Sequence, residues 1–304
     1  MKLEQHQPTL NIKVCCSLFG YSRQAFYQYK RHEEKEAFEE ELVIQEVLIE
    51  RKLQKRLGGR KLFFRLKSFM QHHSIGMGRD AFFTVLRNYG LLVKKRKRKM
   101  VTTDSKHWLR KYPNLIKDFI PIGPNQLWVS DITYIVIGNG FGYLSLITDA
   151  FSRKIVGFFL CKDLTAKGCI AALKMAYRNN PIVKGLIHHS DRGVQYCSND
   201  YVKLLELHIT KISMTENGDP LENAIAERVN GILKDELLEK KYSTFEIAQQ
   251  AVAVSASTYN HFRPHGSISN YTPQEAHSIS GLELKRLWKN YYKPKIKEVA
   301  IGTG

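Results

Sequence analysis

The chain has 304 residues, 47 of them Lys or Arg against 29 Asp or Glu, which gives a formal net charge of +18 and a pI near 9.6. That length allows one substantial core plus smaller modules, and the charge calls for a polyanionic partner, nucleic acid before a membrane surface. No run of about 18 apolar residues occurs and no signal-peptide apolar stretch opens the chain, so no membrane span is expected and the cytoplasm is the expected location. Five cysteines, Cys15, Cys16, Cys161, Cys169 and Cys197, lack the paired spacing of a zinc site and read as reduced thiols.

In chain order, residues 11–31 read as two short helices, with Gly20 closing the first and Ser22 capping the second. This is helix-turn-helix spacing, and the second helix would present Arg23, Gln24, Gln28 and Lys30 to phosphates and base edges. An ordinary helical hairpin fits the same spacing. A separate charged helix follows from Glu33 to Leu57, acidic first and basic last, with Phe38, Leu42, Val43, Ile49 and Leu53 as a packing stripe for the same chain or a second protomer. Residues 58–93 read as helix, turn and helix, ended near Gly90. Here Arg60, Lys61, Arg65, Arg79 and Arg87 are the cations expected nearest DNA, while Phe63, Phe64, Phe69, Phe82 and Phe83 follow helical spacing and should form the core. The run Lys94, Lys95, Arg96, Lys97, Arg98 and Lys99 is expected to be an exposed linker tracking phosphates, within a linker of residues 94–109.

A catalytic domain is expected over residues 110–280. It opens with three strands in a meander, Gln126 to Ile137, Tyr143 to Thr148 and Lys154 to Cys161, with Asn139-Gly140 as the first tight turn. There follow a helix (Thr165 to Arg178), a strand (Gly185 to His188), a helix (Asn199 to Leu207), a short strand (Thr210 to Met214) and a helix from about Leu221 to Leu238. Another helix, Thr244 to about Phe262, ends in a cationic turn holding His261, Arg263 and His265, and residues 281–304 form a basic aromatic tail. Three antiparallel strands followed by alternating helix and strand is the order of an RNase H-like α/β fold with a five-stranded mixed sheet.

Three carboxylates in this domain are placed for chemistry. Asp131 is embedded in the apolar strand LWVSDITYIVI, where an ionised side chain needs a compensating partner that a metal would supply. Asp191 stands where the short apolar run Gly185, Leu186, Ile187 gives way to a polar turn, and Glu227 lies on a helix, 35 intervening residues later. Two strand carboxylates and one helix carboxylate can converge on a pair of Mg²⁺ ions, typically ~4 Å apart, that clamps the attacking and leaving oxygens of a phosphodiester. Asp149 reads as a turn cap, and Asp235 and Glu236 as solvated helix residues. Adjacent His188 and His189 point to opposite faces of a strand, which leaves His189 at most a supporting or DNA contact. Asn223 lies one turn before Glu227, placed to orient it or to touch DNA.

The segments WVSDITY, HHSDRGVQYCS, ENAIAERVNGILK and YNHFRPHGSISNYTP closely resemble the DDE transposases of bacterial insertion sequences, in the retroviral-integrase superfamily, and among them the second-reading-frame product of two-frame elements. The resemblance covers roughly residues 10–280, and the spacing of Asp191 and Glu227 matches that family's D-35-E signature. It implies an RNase H-like integrase core preceded by helix-turn-helix modules. It further implies Mg-dependent cleavage and strand transfer of double-stranded DNA, at the element's terminal inverted repeats and in target DNA, by a homo-oligomer on the nucleoid. The metal would be two Mg²⁺ ions, with Mn²⁺ able to substitute, held by Asp131, Asp191 and Glu227. Lys234, seven residues after Glu227, would hold the DNA end, and Arg263 would be a DNA contact. An upstream reading-frame product, or a fusion with it, is an expected partner. Glu222 and Arg228 depart from the family pattern, which bears on subgroup rather than chemistry. Two other readings leave separate marks: a non-catalytic DNA-binding regulator would not need all three carboxylates, and an RNase H-like nuclease would have less need of two end-recognition modules.

Overall fold

In the computed structural model, which describes residues 12–93, 108–117, 119–181, 184–216 and 223–279, the chain divides after Lys95 into two compact units. The first is helical: α1 (Ile12–Leu18), α2 (Arg23–Leu53), α3 (Gly59–His72) and α4 (Arg79–Asn88). Gly20 at φ +71° ends α1, and Ser22 caps α2 by accepting the Ala25 N–H at 3.0 Å, as the spacing demands. The helix expected to stop near Arg31 does not stop. No Gly or Pro interrupts Arg23 to Leu53, and the pairs Lys30–Glu34 and His32–Glu36 span the junction, so one helix of 31 residues replaces two.

Val43 and Val47 of α2 share one core with Leu57, Leu62, Leu66, Met70, Phe82 and Leu86, so the two helical modules pack as a single body. Phe63, Phe69 and Phe83 line this core, whereas Phe64 is exposed, on the outer side of α3. The stripe expected on α2 also divides. Val43 turns inward beside Ile44 and Val47, while Phe38, Ile49 and Leu53 face solvent. Arg65 is not a free cation, because its Nε and Nη2 grip Glu50 at 2.7 and 2.8 Å and tie α3 to α2.

The second unit is built on a five-stranded sheet: β1 (Leu127–Ile137), β2 (Gly140–Asp149), β3 (Ile155–Cys161), β4 (Ile187–Ser190) and β5 (Lys211–Met214). The spatial order is β3-β2-β1-β4-β5, with β1, β2 and β3 antiparallel and β1, β4 and β5 parallel. Between and after the strands come α5 (Ala166–Asn179), α6 (Val194–Cys197), α7 (Asn199–Leu207), α8 (Ala224–Ile232), α9 (Phe245–Phe262) and α10 (Pro273–Ser278). This is the mixed α/β order expected from the sequence. Trp128 and Ile147 on one face of the sheet meet Ala172, Leu173 and Ala176 of α5 and Tyr201 and Leu205 of α7. Ile135, Leu144 and Leu146 on the other face meet Val229 and Ile232 of α8 and Val252, Ala256 and Tyr259 of α9. Gly157 lets α5 lie close on β3, since a Cβ there would stand 2.2 Å from the Ala172 carbonyl oxygen. Among the described residues, no helix is long and apolar enough to cross a membrane.

Candidate active site

β1 and β4 pair over three steps only, Leu127↔Ile187, Trp128↔His188 and Val129↔His189. Asp131 and Asp191 each stand two residues beyond the last step, where the strands part. Residues in register on parallel strands share a face, and here that face carries Leu127, Val129 and Ile187 packed against Ala226 of α8. Asp131 therefore lies on the α8 side of β1, within the strand, and Asp191 stands just past the carboxyl end of β4, beside the line where the sheet changes from antiparallel to parallel.

The helix delivers Glu227 to the same place. Ala226 and Val229 are buried against the sheet while Glu227 between them stays exposed. Two asparagines, two turns apart, fix the helix to β1. Asn223 Nδ2 donates to the Ser130 carbonyl at 3.0 Å, and Asn230 Nδ2 donates to Asp131 Oδ2 at 2.7 Å. The Ile132 N–H donates to Asp131 Oδ1 at 2.9 Å, and the Gly193 N–H to Asp191 Oδ1 at 3.0 Å. Asn230 was missed from the sequence. Its signal was a polar side chain inside the apolar stripe Val229, Ile232, Leu233, one turn after Glu227.

Burial pushes the Asp131 carboxyl up to about 7; the Asn230 and Ile132 hydrogen bonds pull against this, and the charges of Asp191 and Glu227 add to it. Asp191 is raised as well, by burial, against the Gly193 N–H. Asp131 thus feels the charge of both other carboxylates. The three are not collapsed into a ready-made ligand cluster, since among the described residues no group of three His, Cys, Asp or Glu stands close enough for one.

After α8 the helix widens into a π-helical turn, Leu233–Leu237. Lys234 in that turn bonds Thr133 Oγ1 at 3.1 Å and lies 4.4 Å from the centre of the Tyr134 ring. Thr133 is two residues beyond Asp131 on the same face of β1, ~7 Å along the strand. Lys234 is therefore brought to the carboxylate crevice. Glu236 in the same turn is not solvated as expected: it grips Arg263 through two contacts of 2.8 Å. Arg263 is 1% exposed and also lies over Tyr259, which removes it from the surface where a DNA contact would have to be. Asp149 is buried as the cap of the β2–β3 turn, accepting from Ser152 N–H and Oγ–H at 2.7 Å and from the Asn125 N–H at 2.7 Å.

The histidines are internal. His188 Nε2 meets Ser130 Oγ at 2.7 Å and Tyr201 OH at 2.9 Å, and burial, with His189 beside it, lowers its pKa to about 3, so a neutral ring ties β1, β4 and α7 together. His189 Nδ1 meets Ser213 Oγ at 2.8 Å in a fully buried position, so it supports β4 against β5 and does not reach DNA. In the other unit, Arg23 and Gln24 lie exposed in the first turn of α2, Arg60 is exposed and Lys61 half-buried on α3, and Arg79 is exposed beside its neighbour Asp80. Lys94, Lys95, Arg96, Lys97, Arg98 and Lys99 lie outside the described residues, as does the tail from residue 280.

A mixed parallel-antiparallel sheet with one aspartate inside its central strand, a second just past the neighbouring strand and a glutamate on the covering helix defines the RNase H-like class of cores. Models of the integrase core domain match residues 122–220 and 208–273. A 31 kDa protein of insertion element IS600 from Shigella sonnei is 33% identical over 85% of this chain and 95% of its own length. The InsF transposase of insertion sequence IS3A from Escherichia coli K12 is 28% identical over 90% of this chain and 96% of its own. Among solved structures, the integrase catalytic core of HTLV-2 in complex with magnesium is similar at 21% identity, over 51% of this chain and 98% of that one, with a TM-score of 0.41. The chain belongs to the insertion-sequence transposases with an integrase core, enzymes of the polynucleotidyl-transferase class.

Proposed function

We propose that this transposase cuts DNA at the inverted repeats of its own element and joins the freed ends to target DNA, using Asp131, Asp191 and Glu227 as ligands of two Mg²⁺ ions. The observation that supports the reading is the register of β1 and β4, whose last paired step lies two residues before each aspartate. The donor set fits the metal: it is all oxygen, and with the Asp131 carboxyl pushed up to about 7 by burial and acidic neighbours, a nearby positive charge would favour its ionised form. When bound, the ions would lower the pKa of the attacking water or 3′-hydroxyl and offset charge on the leaving oxygen.

The remaining work falls to the chain's own groups. Asn230 and the Ile132 amide hold the Asp131 carboxylate in one orientation, and Asn223 holds the helix that carries Glu227 against β1. Lys234, at the same crevice, would hold a phosphate of the DNA end. Arg23, Gln24, Arg60, Lys61 and Arg79 would contact duplex DNA from the helical unit, and Lys94 to Lys99 would add sequence-independent, salt-sensitive affinity. The upstream reading-frame product is the expected further partner, and a homo-oligomer on DNA the expected assembly.

The test is cleavage and joining of DNA carrying the repeats that flank the coding region, with Mg²⁺, by the wild type and Glu227→Gln. Products that need Glu227 and Mg²⁺, with end binding unchanged in the variant, support the reading. Wild-type end binding with no cleavage, even after the upstream product is added, overturns it in favour of a regulator.

A further inference from the structure

We infer that α2 is a self-association helix, which pairs antiparallel with α2 of a second copy of this chain. At ~100° per residue, Phe38, Leu42, Ile49 and Leu53 fall within an arc of about 60°. The inward face made by Val43, Ile44 and Val47 lies roughly 160° away on the same scale. Phe38, Ile49 and Leu53 are 61%, 54% and 44% exposed, and Leu42 borders the internal core. Val43, Ile44 and Val47 are the only buried residues described in this 31-residue helix. A helix of that length draws most of its stability from a covered apolar face, and here, among the described residues, Phe38, Ile49 and Leu53 of the outer face are left exposed.

Two features of this face choose the occupant. The first is symmetry. The apolar positions are spaced four, seven and four residues apart, a pattern that reads identically in both directions about a point between Gln45 and Glu46. A second α2 laid antiparallel across that point sets Phe38 opposite Leu53 and Leu42 opposite Ile49, each twice. The second is charge. The half from Glu33 to Glu41 is acidic and the stretch from Arg51 to Arg56 is basic. Antiparallel pairing lays acid against base, and brings exposed Glu41 within about one residue rise or two, ~3 Å along the axis, of exposed Lys52 on the second copy. Parallel pairing would set acid against acid.

The experiment uses the full chain, free of DNA, in sedimentation equilibrium at micromolar concentration. The wild type is expected to be a reversible dimer. Ile49→Glu, at an exposed position, should weaken the dimer by at least ~100-fold, since it sets two carboxylates in an apolar seam, while helical content measured well below the wild-type dissociation constant, where both proteins are monomeric, stays the same. Glu41→Lys should weaken the dimer, and adding Lys52→Glu should restore it. Oxidation of a chain carrying both Phe38→Cys and Leu53→Cys should give a covalent dimer, whereas Phe38→Cys alone should not. The two cysteines lie ~22 Å apart on one helix, too far to bridge within it. A wild type that stays monomeric overturns the inference, whether or not another protein such as the upstream product binds α2. So does a dimer indifferent to Ile49→Glu, and cross-linking through Phe38→Cys alone overturns the antiparallel arrangement.

Discussion

Glu236→Gln separates the structural reading of Arg263 from its reading as a DNA contact. In the folded chain the Arg263 guanidinium is 1% exposed, with Nε and Nη2 each 2.8 Å from Glu236 and Nη1 3.4 Å from the Pro264 carbonyl. Glutamine keeps the shape of the partner but removes its charge, so a buried cation is left without its counterion. Breaking such a pair from one side costs about 3–5 kcal/mol, and the 18% exposure of the Glu236 side chain puts this one towards the lower figure. For a domain of this size each kcal/mol moves the melting temperature by about 2–4 °C, so a drop of about 6–12 °C is expected. The assay is thermal and urea unfolding followed by circular dichroism, with DNA affinity measured well below the transition. Arg263→Met should give a similar loss, and the double variant Glu236→Leu with Arg263→Met should be more stable than either single one, because no unpaired charge remains. An unchanged melting temperature combined with weakened DNA binding in Arg263→Met would refute the reasoning.

Other outcomes follow from the same geometry. Asn230→Leu removes the donor to Asp131 Oδ2 and should raise the Mg²⁺ concentration needed for half-maximal cleavage by about 10–100-fold with little change in DNA affinity; an unshifted metal dependence would count against Asn230 as a positioning residue. Gly157→Ala drives a Cβ to 2.2 Å from the Ala172 carbonyl oxygen and should cost about 1–3 kcal/mol or more, read as a lower urea midpoint; a neutral effect would mean that α5 does not lie this close to β3. His188 has its pKa lowered to about 3 against an ordinary 6.5. The unfolded chain therefore takes up the proton first, and stability falls as pH drops from about 6.5 towards 3, by up to ~1.4 kcal/mol per unit. His188→Gln should flatten that part of the stability curve; equal slopes in the two proteins would show that His188 is not buried and neutral.

The carboxylates proposed as the triad could be picked out in sequence because their signals are local. A charge inside an apolar strand, a charge where an apolar run ends and a charge on an amphipathic helix can each be read within about ten residues. Arg263 and Arg65 were misread for the opposite reason. A cation in sequence carries no mark of its partner, and Glu236 and Glu50 lie 27 and 15 residues away. His189 is a similar case. The strand Thr210 to Met214 could be read, but not the register that sets Ser213 beside His189 and buries the ring.

By itself the sequence determined the strand and helix order of the catalytic unit, the caps at Ser22 and Gly20, and the three carboxylates proposed to carry the chemistry. Hydrophobic period and turn residues act over a few neighbours, so they survive being read one segment at a time. Only the tertiary structure decided that α2 runs unbroken for 31 residues, that it shares a core with α3 and α4, and that Asn230 rather than a histidine steadies Asp131. These outcomes depend on which faces are buried together. Burial is a property of the packed pair, and it fixes both the state of a buried charge and the face of α2 that is left to meet another chain.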